Sequence, residues 1–403
     1  MTTTEQSYEV TPQLADKLKK NQQIATFVGL VFLLVTIAGY FIAGPQQFLR
    51  SYLVGFFFWF GMGLGSLALL MTQYLTGGAW GTMIRRPLEA GSKTLYVFVW
   101  GFLPLLIGVH TLYWWSTAAG QADKIIQAKH LYLNIPFLWV RFAIYAVVWL
   151  GLTYLLNKWS VLEDRTKSYE YSKKLETLSG PGVLAYFFTV TFCAVDYIMT
   201  LEPHWFSTMY GFIIAMGQAL GAMSMAVAVL VVLSRYPPIE NALTAKHLHD
   251  LGKLMLALVM LWAYTNFGQL LITWSANLPD EIVWYIKRWN GGWGWVGVIL
   301  LVGHFCLPFL LLLSQTLKRN PRTILAIAIY IIVVHVVDVF SLVEANFADV
   351  KHVTLNLSWL DVVSPIGFGG LWLALYFWHL PRRPLLPLGA PDLKKALDHG
   401  RAH

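Results

Sequence analysis

Charge, cysteine and polar stretches are all scarce in this chain. Only 12% of its 403 residues are Asp, Glu, Lys or Arg, about half of the roughly 25% usual in a soluble domain. The shortage runs the whole length and excludes a soluble enzyme or a disordered chain. No long polar block exists that a membrane anchor could carry. The two cysteines, Cys193 and Cys306, both lie in apolar runs. There is no C-x-x-C-H for covalent haem, no four-cysteine iron–sulfur run and no zinc spacing. Any redox metal is therefore expected in another chain, unless histidines alone hold a haem.

What is present is apolar: 57% hydrophobic residues and a mean hydropathy of +0.57. A helix crossing a bilayer needs about 20 mostly apolar residues. Ten segments meet that need: 24–43, 51–74, 94–115, 135–156, 182–202, 206–233, 251–275, 292–316, 323–343 and 359–380. The expected fold is an all-α integral membrane protein with ten transmembrane helices. Residues 1–23 form a polar N-terminal segment and 381–403 a polar tail. The first run has no clear cleavage site, so it is expected to be a retained helix and not a signal peptide.

Lys and Arg divide unevenly between the two sides of this topology. One side carries 22, including Arg85, Arg86 and Lys93 in the loop after helix 2, and five in the loop after helix 4. The other carries 6: Arg50, Lys124, Lys129, Lys287, Arg288 and Lys351, while Arg141 lies inside helix 4. Positive loops stay in the cytoplasm, so both termini are expected there. This asymmetry accounts for the net charge of +8 and the pI near 9.3, and no nucleic acid is needed to explain it. The outer segments 128–139 and 276–295 are rich in Trp and Tyr. They read either as an interfacial aromatic belt or as a docking surface for partners outside the membrane.

Two copies of a four-helix unit follow one another, over 51–202 and 206–343. Gly61 and Gly65 match Gly217 and Gly221; Trp139-Val140 matches Trp295-Val296; Trp115-Ser116 matches Trp274-Ser275. Val195-Asp196…Glu202 matches Val337-Asp338…Glu344. Four helices per unit is an even number, so the copies are parallel repeats about an axis along the membrane normal. The paired G-x-x-x-G sets predict close helix contact.

Ionisable groups within spans are costly and face a bundle interior. Here they lie mostly in the outer half: His110, Arg141, Asp196, His304, His335, Asp338 and Asp361, with Glu202 and Glu344 at outer helix ends. Each aspartate of the matched pair sits six residues from its glutamate, about 9 Å along a helix. His335 precedes Asp338 by three, on one face. The inner half offers Gln73, Tyr96, Tyr154, Tyr186, Ser224 and Tyr330, and no buried carboxylate is expected there. One reading is an Arg141–Asp pair that holds the bundles together. The other is a proton-handling site open to the outside. A third takes His304 and His335 as two axial ligands of a b-type haem.

The segments LLMTQYLTGGAWGTMIRRPLEA (69–90), VDYIMTLEPHWFSTMYGF (195–212) and NFGQLLITWSANLPDEIVWYIKRW (266–289) resemble the polysulfide-reductase/NrfD family of membrane subunits. The likeness is greatest to the F-type branch found in alternative complex III, a quinol:electron acceptor oxidoreductase of bacterial inner membranes. The resemblance implies two four-helix bundles with a flanking helix on each side, helices 1 and 10. It implies partners: a multihaem cytochrome c subunit, an iron–sulfur subunit, a second, larger NrfD-like subunit, small membrane subunits and lipids. Haem, iron–sulfur clusters and the quinol (menaquinol or another) then belong to those partners, with no cofactor bound by this chain. The resemblance further implies that the larger paralogue oxidises quinol and that the F-type subunit serves proton translocation and assembly. Carried onto this sequence, the relay candidates are Asp196 and Asp338, with His110, Arg141, His335, Glu202 and Glu344 beside them, and His304 and Asp361 as further buried groups. The alternatives are an anchor with its own quinol site, a structural scaffold and a stand-alone transporter. The absence of paired broken helices speaks against the last.

Overall fold

The computed structural model describes residues 8–348 and 354–401; Lys351 of the charge count lies outside the described residues. Ten helices are long and apolar enough to cross a membrane, and among the described residues there is no strand. They are α1 (Pro12–Ile42), α2 (Pro45–Thr76), α3 (Ala79–Ile107), α4 (Ile135–Thr166) and α5 (Tyr169–Leu201). Then follow α6 (Tyr210–Leu233), α7 (Ala245–Ala276), α8 (Trp293–Leu313), α9 (Pro321–Phe347) and α10 (Leu360–Arg382). The chain is thus a multi-pass integral membrane protein, all-helical as its composition demands.

Local sequence starts these helices. The Asn134 side chain accepts from the Phe137 amide at 2.8 Å and the Asn320 side chain from the Arg322 amide at 2.9 Å, each with proline in the first turn. Gly77 and Gly78, at φ +64° and +95°, turn α2 into α3 in a conformation that side chains disfavour.

Several helices are longer than their apolar runs, α3, α4 and α5 among them. α3 begins at Ala79, against an expected 94, so Arg85 and Arg86 are helical and buried and do not lie in a loop. α4 runs on to Thr166 and α5 begins at Tyr169. Hydropathy stops at a charge; the helix does not when the charge is paired inside the protein. At its other end α3 tightens into a 3₁₀ turn over Val99–Phe102, ahead of Pro104, and stops at Ile107, short of 115. Pro104 has no amide hydrogen to continue the ladder.

α2 and α6 form the centre. In their most apolar windows 94% and 78% of residues are buried, against 17% in α1 and 28% in α7 and α8. α2 packs on α3, α5, α6, α9 and α10, and α6 packs on α2, α5, α7 and α9. The repeat is visible in this pattern: α2 meets α9 as α6 meets α5. A Cβ placed on Gly65 would lie 2.9 Å from the Ala222 Cβ, so the glycine sets do bring helices close. The flanking helices depart from the expectation of one on each side. α1 and α10 pack on each other and on α2, and a Cβ on Gly29 would come within 2.6 Å of the Leu371 amide nitrogen.

The first and last described segments meet at one end, the inner end, where the Leu385 amide donates to the Tyr8 carbonyl at 2.8 Å. At the outer end the short helix Pro279–Trp289 lies over the second bundle. Its Trp284 is buried and stacks on Trp205 with ring centres 4.7 Å apart, whereas Trp289 and Trp295 are 54% and 73% exposed. The aromatic segment is therefore partly an internal cap and only partly a surface.

Candidate functional site

In the outer half of the first bundle, Arg141 on α4 meets Asp196 on α5. Arg141 Nε donates to Oδ2 at 2.9 Å and to Oδ1 at 3.1 Å; Tyr145 Oη donates to Oδ2 at 2.7 Å. The guanidinium also donates to the Tyr132 carbonyl at 2.9 Å and lies 4.0 Å from the Tyr132 ring centre. Asp196 is fully enclosed and fully bonded, with 1% exposure.

The matching Asp338 on α9 keeps different company. Its Oδ2 accepts from Trp262 Nε1 at 3.1 Å and faces His335 Nδ1 at 3.2 Å. The His335 ring stacks on that of His304, 5.6 Å away and 14° from parallel, and His304 meets the Trp262 ring edge-on at 4.2 Å. His304 is 0% exposed and neither ring nitrogen has a protein partner. It sits in a π-helical stretch, Leu300–Cys306, a distortion frequent at functional sites. His335 Nδ1 is turned to Asp338, so of that ring only Nε2 remains for the haem reading. Among the described residues no group of three or more His, Cys, Asp or Glu side chains could hold a metal ion.

The remaining candidates lie apart from these clusters. His110 is exposed, with Nδ1 3.0 Å from the Ser116 carbonyl oxygen. Glu202 pairs with Lys287 of the short outer helix. Asp361 accepts from Ser51 Oγ at 2.5 Å and from the Ser358 amide at 2.9 Å. Glu344 is buried, and its Oε1 has no hydrogen-bond partner.

The inner half overturns the expectation of no buried carboxylate. Glu89 on α3 is 1% exposed and Glu163 on α4 is 1% exposed. Glu89 accepts from Ser160 Oγ at 2.5 Å, Arg86 at 2.6 Å, Arg383 at 2.9 Å and Arg85 at 3.2 Å. Arg85 also pairs with Glu163, and Arg86 with Asp164. Three arginines thus face three carboxylates in one buried cluster. Burying so many charges is tolerable only when all are paired. Arg383 comes from the tail, so the C-terminal segment closes the cluster.

One face of α4 joins the two ends. Arg141, Tyr145, Trp149, Thr153, Asn157, Ser160 and Glu163 follow at steps of three or four residues, and all are buried. Their span is 22 residues, about 33 Å at 1.5 Å per residue, which matches the roughly 30 Å hydrocarbon thickness. Between the charged ends, Trp149 Nε1 donates to Thr189 Oγ1 at 2.9 Å and Asn157 Nδ2 to Ser92 Oγ at 3.2 Å. Thr153 Oγ1 and Asn157 Oδ1 are buried without protein partners, the kind of group that buried water satisfies. The sequence holds this signal as a polar stripe at helical period inside an apolar run. A search for charged residues passes over it.

Beside Arg141 and Asp196 an apolar cleft of about 270 Å³ opens at the outer end, lined by Tyr132, Phe192, Met199, Trp205 and Phe206 among others. In comparisons with known proteins, no protein-family model and no curated protein matches this chain.

Proposed function

We propose that the chain is an NrfD-like membrane subunit of a quinol-oxidising electron-transfer complex of the alternative complex III type, serving proton translocation and assembly. The observation that carries this reading is the ladder of buried polar side chains along α4, from Asp196 to Glu89 and Glu163. A helix that only packs has no need of seven buried polar side chains, since each costs free energy unless bonded. A proton path needs oxygen and nitrogen atoms at steps that one water can bridge. Redox chemistry then belongs to the partners: a multihaem cytochrome, an iron–sulfur protein and the larger paralogue that oxidises quinol. The inner end, rich in Lys and Arg, faces the cytoplasm of a bacterial inner membrane.

The test has two arms. A tagged chain purified gently from its native membrane is expected to bring haem and iron–sulfur protein with it; a chain that purifies alone removes the complex from the proposal. In vesicles holding that complex, Asn157→Leu is expected to lower protons moved per electron while quinol oxidation continues. An unchanged ratio removes the path. The outer cleft supports a second reading, an anchor with its own quinol site, because its volume and aromatic walls suit a ring on an apolar tail. A photoreactive quinone that labels Tyr132 or Phe192 ahead of every partner favours that reading.

A further inference from the structure

Asp338 has no ladder of its own. The inner half of α8, the helix that corresponds to α4, reads LPFLLLL over Leu307–Leu313. Along α8, then, a proton held at Asp338 and His335 finds no polar side chain to follow over Leu307–Leu313. A small cavity lies at this cluster, between α2, α6 and α9, and has room for about one water. Gly61 and Gly217 line it, as do Gln218, His335 and Asp338. The three polar residues are 4%, 5% and 3% exposed. A Cβ on Gly217 would stand 2.8 Å from His335 Cε1 and 3.7 Å from Asp338 Oδ2, so glycine there keeps the space open. Across the seam, Tyr186 Oη on α5 donates to Gln218 Oε1 at 3.1 Å. Tyr186 lies three residues inward of Thr189, the partner of Trp149 on α4. That is the depth of Thr153, whose hydroxyl has no protein partner.

We infer that the second bundle delivers its proton sideways into the first. A water in the glycine-lined cavity, held by Gln218, joins Asp338–His335 to the Tyr186 hydroxyl, and through it to the α4 ladder. The two matched aspartates thus feed one inner route. The water accepts the proton that leaves the Asp338–His335 pair and passes one of its own to the Tyr186 oxygen. That oxygen, once its hydroxyl has turned from Gln218 toward Thr153, releases its original proton on that side. Rotation of the hydroxyl then restores the starting state, with water and tyrosine neutral. Gln218 is a positioning residue, since a neutral amide holds the water without taking the proton.

This inference rests on the proton-path reading, and its test separates the two. The protein extracted with its native partners is imaged at a resolution that resolves waters. Density is expected between Gln218, His335 and Asp338; a dry cavity overturns the link. In vesicles, Tyr186→Phe removes one hydroxyl and keeps the ring. It is expected to lower protons per electron by the same fraction as Asp338→Asn, and the double variant no further than either alone. Additive losses, or a normal ratio in Tyr186→Phe, overturn the link. If Asn157→Leu loses coupling while Tyr186→Phe keeps it, the ladder stands and the seam falls. If Asn157→Leu keeps normal coupling, the ladder itself falls, and the link with it.

Discussion

Asp196 and Asp338 stand at matching points of the two repeats, yet only Asp196 faces an arginine, with Arg141 Nε 2.9 Å from its Oδ2. The partner of Asp338 is His335, at 3.2 Å. Repeats that diverge in this way keep the acid and change what holds it. One aspartate is a fixed member of an ion pair; the other sits beside a group that can gain and lose a proton.

The two positions are therefore expected to respond differently. Arg141→Leu leaves the Asp196 carboxylate buried and unpaired, at a cost of roughly 3–5 kcal/mol. Asp338→Asn keeps an acceptor for the Trp262 indole and is expected to cost under about 1.5 kcal/mol, the scale of one neutral hydrogen bond. Thermal unfolding of the detergent-solubilised protein, followed by tryptophan fluorescence, compares them. Equal destabilisation by both variants contradicts the division of roles.

The inner cluster gives a second contrast. Glu89→Ala takes the only carboxylate from Arg383 and one of two from each of Arg85 and Arg86, in a buried setting, and is expected to destabilise by about 3–5 kcal/mol. Lys173→Ala breaks a pair whose side chains are 59% and 46% exposed and is expected to change stability by less than about 1 kcal/mol. A Glu89→Ala protein that melts with the wild type would mean that the arginines reach solvent.

Sequence reading served the spans better than the inner end, for one physical reason. Hydropathy reports the cost of leaving a residue in lipid, and that works for Phe27 or Phe41 on the exposed face of α1. It fails at Arg85, Arg86 and Glu89, which never meet lipid because each faces an opposite charge inside the protein. The pairing partners Glu163 and Arg383 lie 78 and 294 residues away, so no local window could join them. Gly217 was legible as a close-packing residue, but that it opens a space beside His335 depends on how α6 and α9 cross. A pair of Arg141 with an aspartate is one of three readings the sequence allows, without a choice of Asp196; Tyr145, which completes it, sits one turn from Arg141 and carries no charge to mark it.

Topology can be tested directly with cysteine labelling. Leu131, 78% exposed, lies in the outer segment, and Tyr169, 69% exposed, begins α5 at the inner end. With the native cysteines removed, a membrane-impermeant maleimide added to right-side-out vesicles is expected to label Leu131→Cys and to spare Tyr169→Cys until the membrane is opened. The reverse pattern turns the whole chain over, and with it the sense of any proton path.

His304 offers the sharpest separation of packing from function. The ring is completely buried, both nitrogens lack protein partners, and the surrounding helix is widened into a π turn. An unsatisfied buried polar group costs about 1–3 kcal/mol. If His304 only filled space, phenylalanine would fill it at lower cost and nothing else would change. His304→Phe is therefore expected to melt at or above the wild-type temperature. The stack on His335 gives the histidine another use. A second imidazole beside the Asp338–His335 pair can take up a proton, or hold a water that does, and phenylalanine can do neither. The same variant is then expected to lower protons moved per electron in vesicles. Gain of stability together with loss of coupling is an outcome that a packing role does not produce. His304→Phe with wild-type coupling would remove His304 from the relay and leave Asp338 and His335 to act alone.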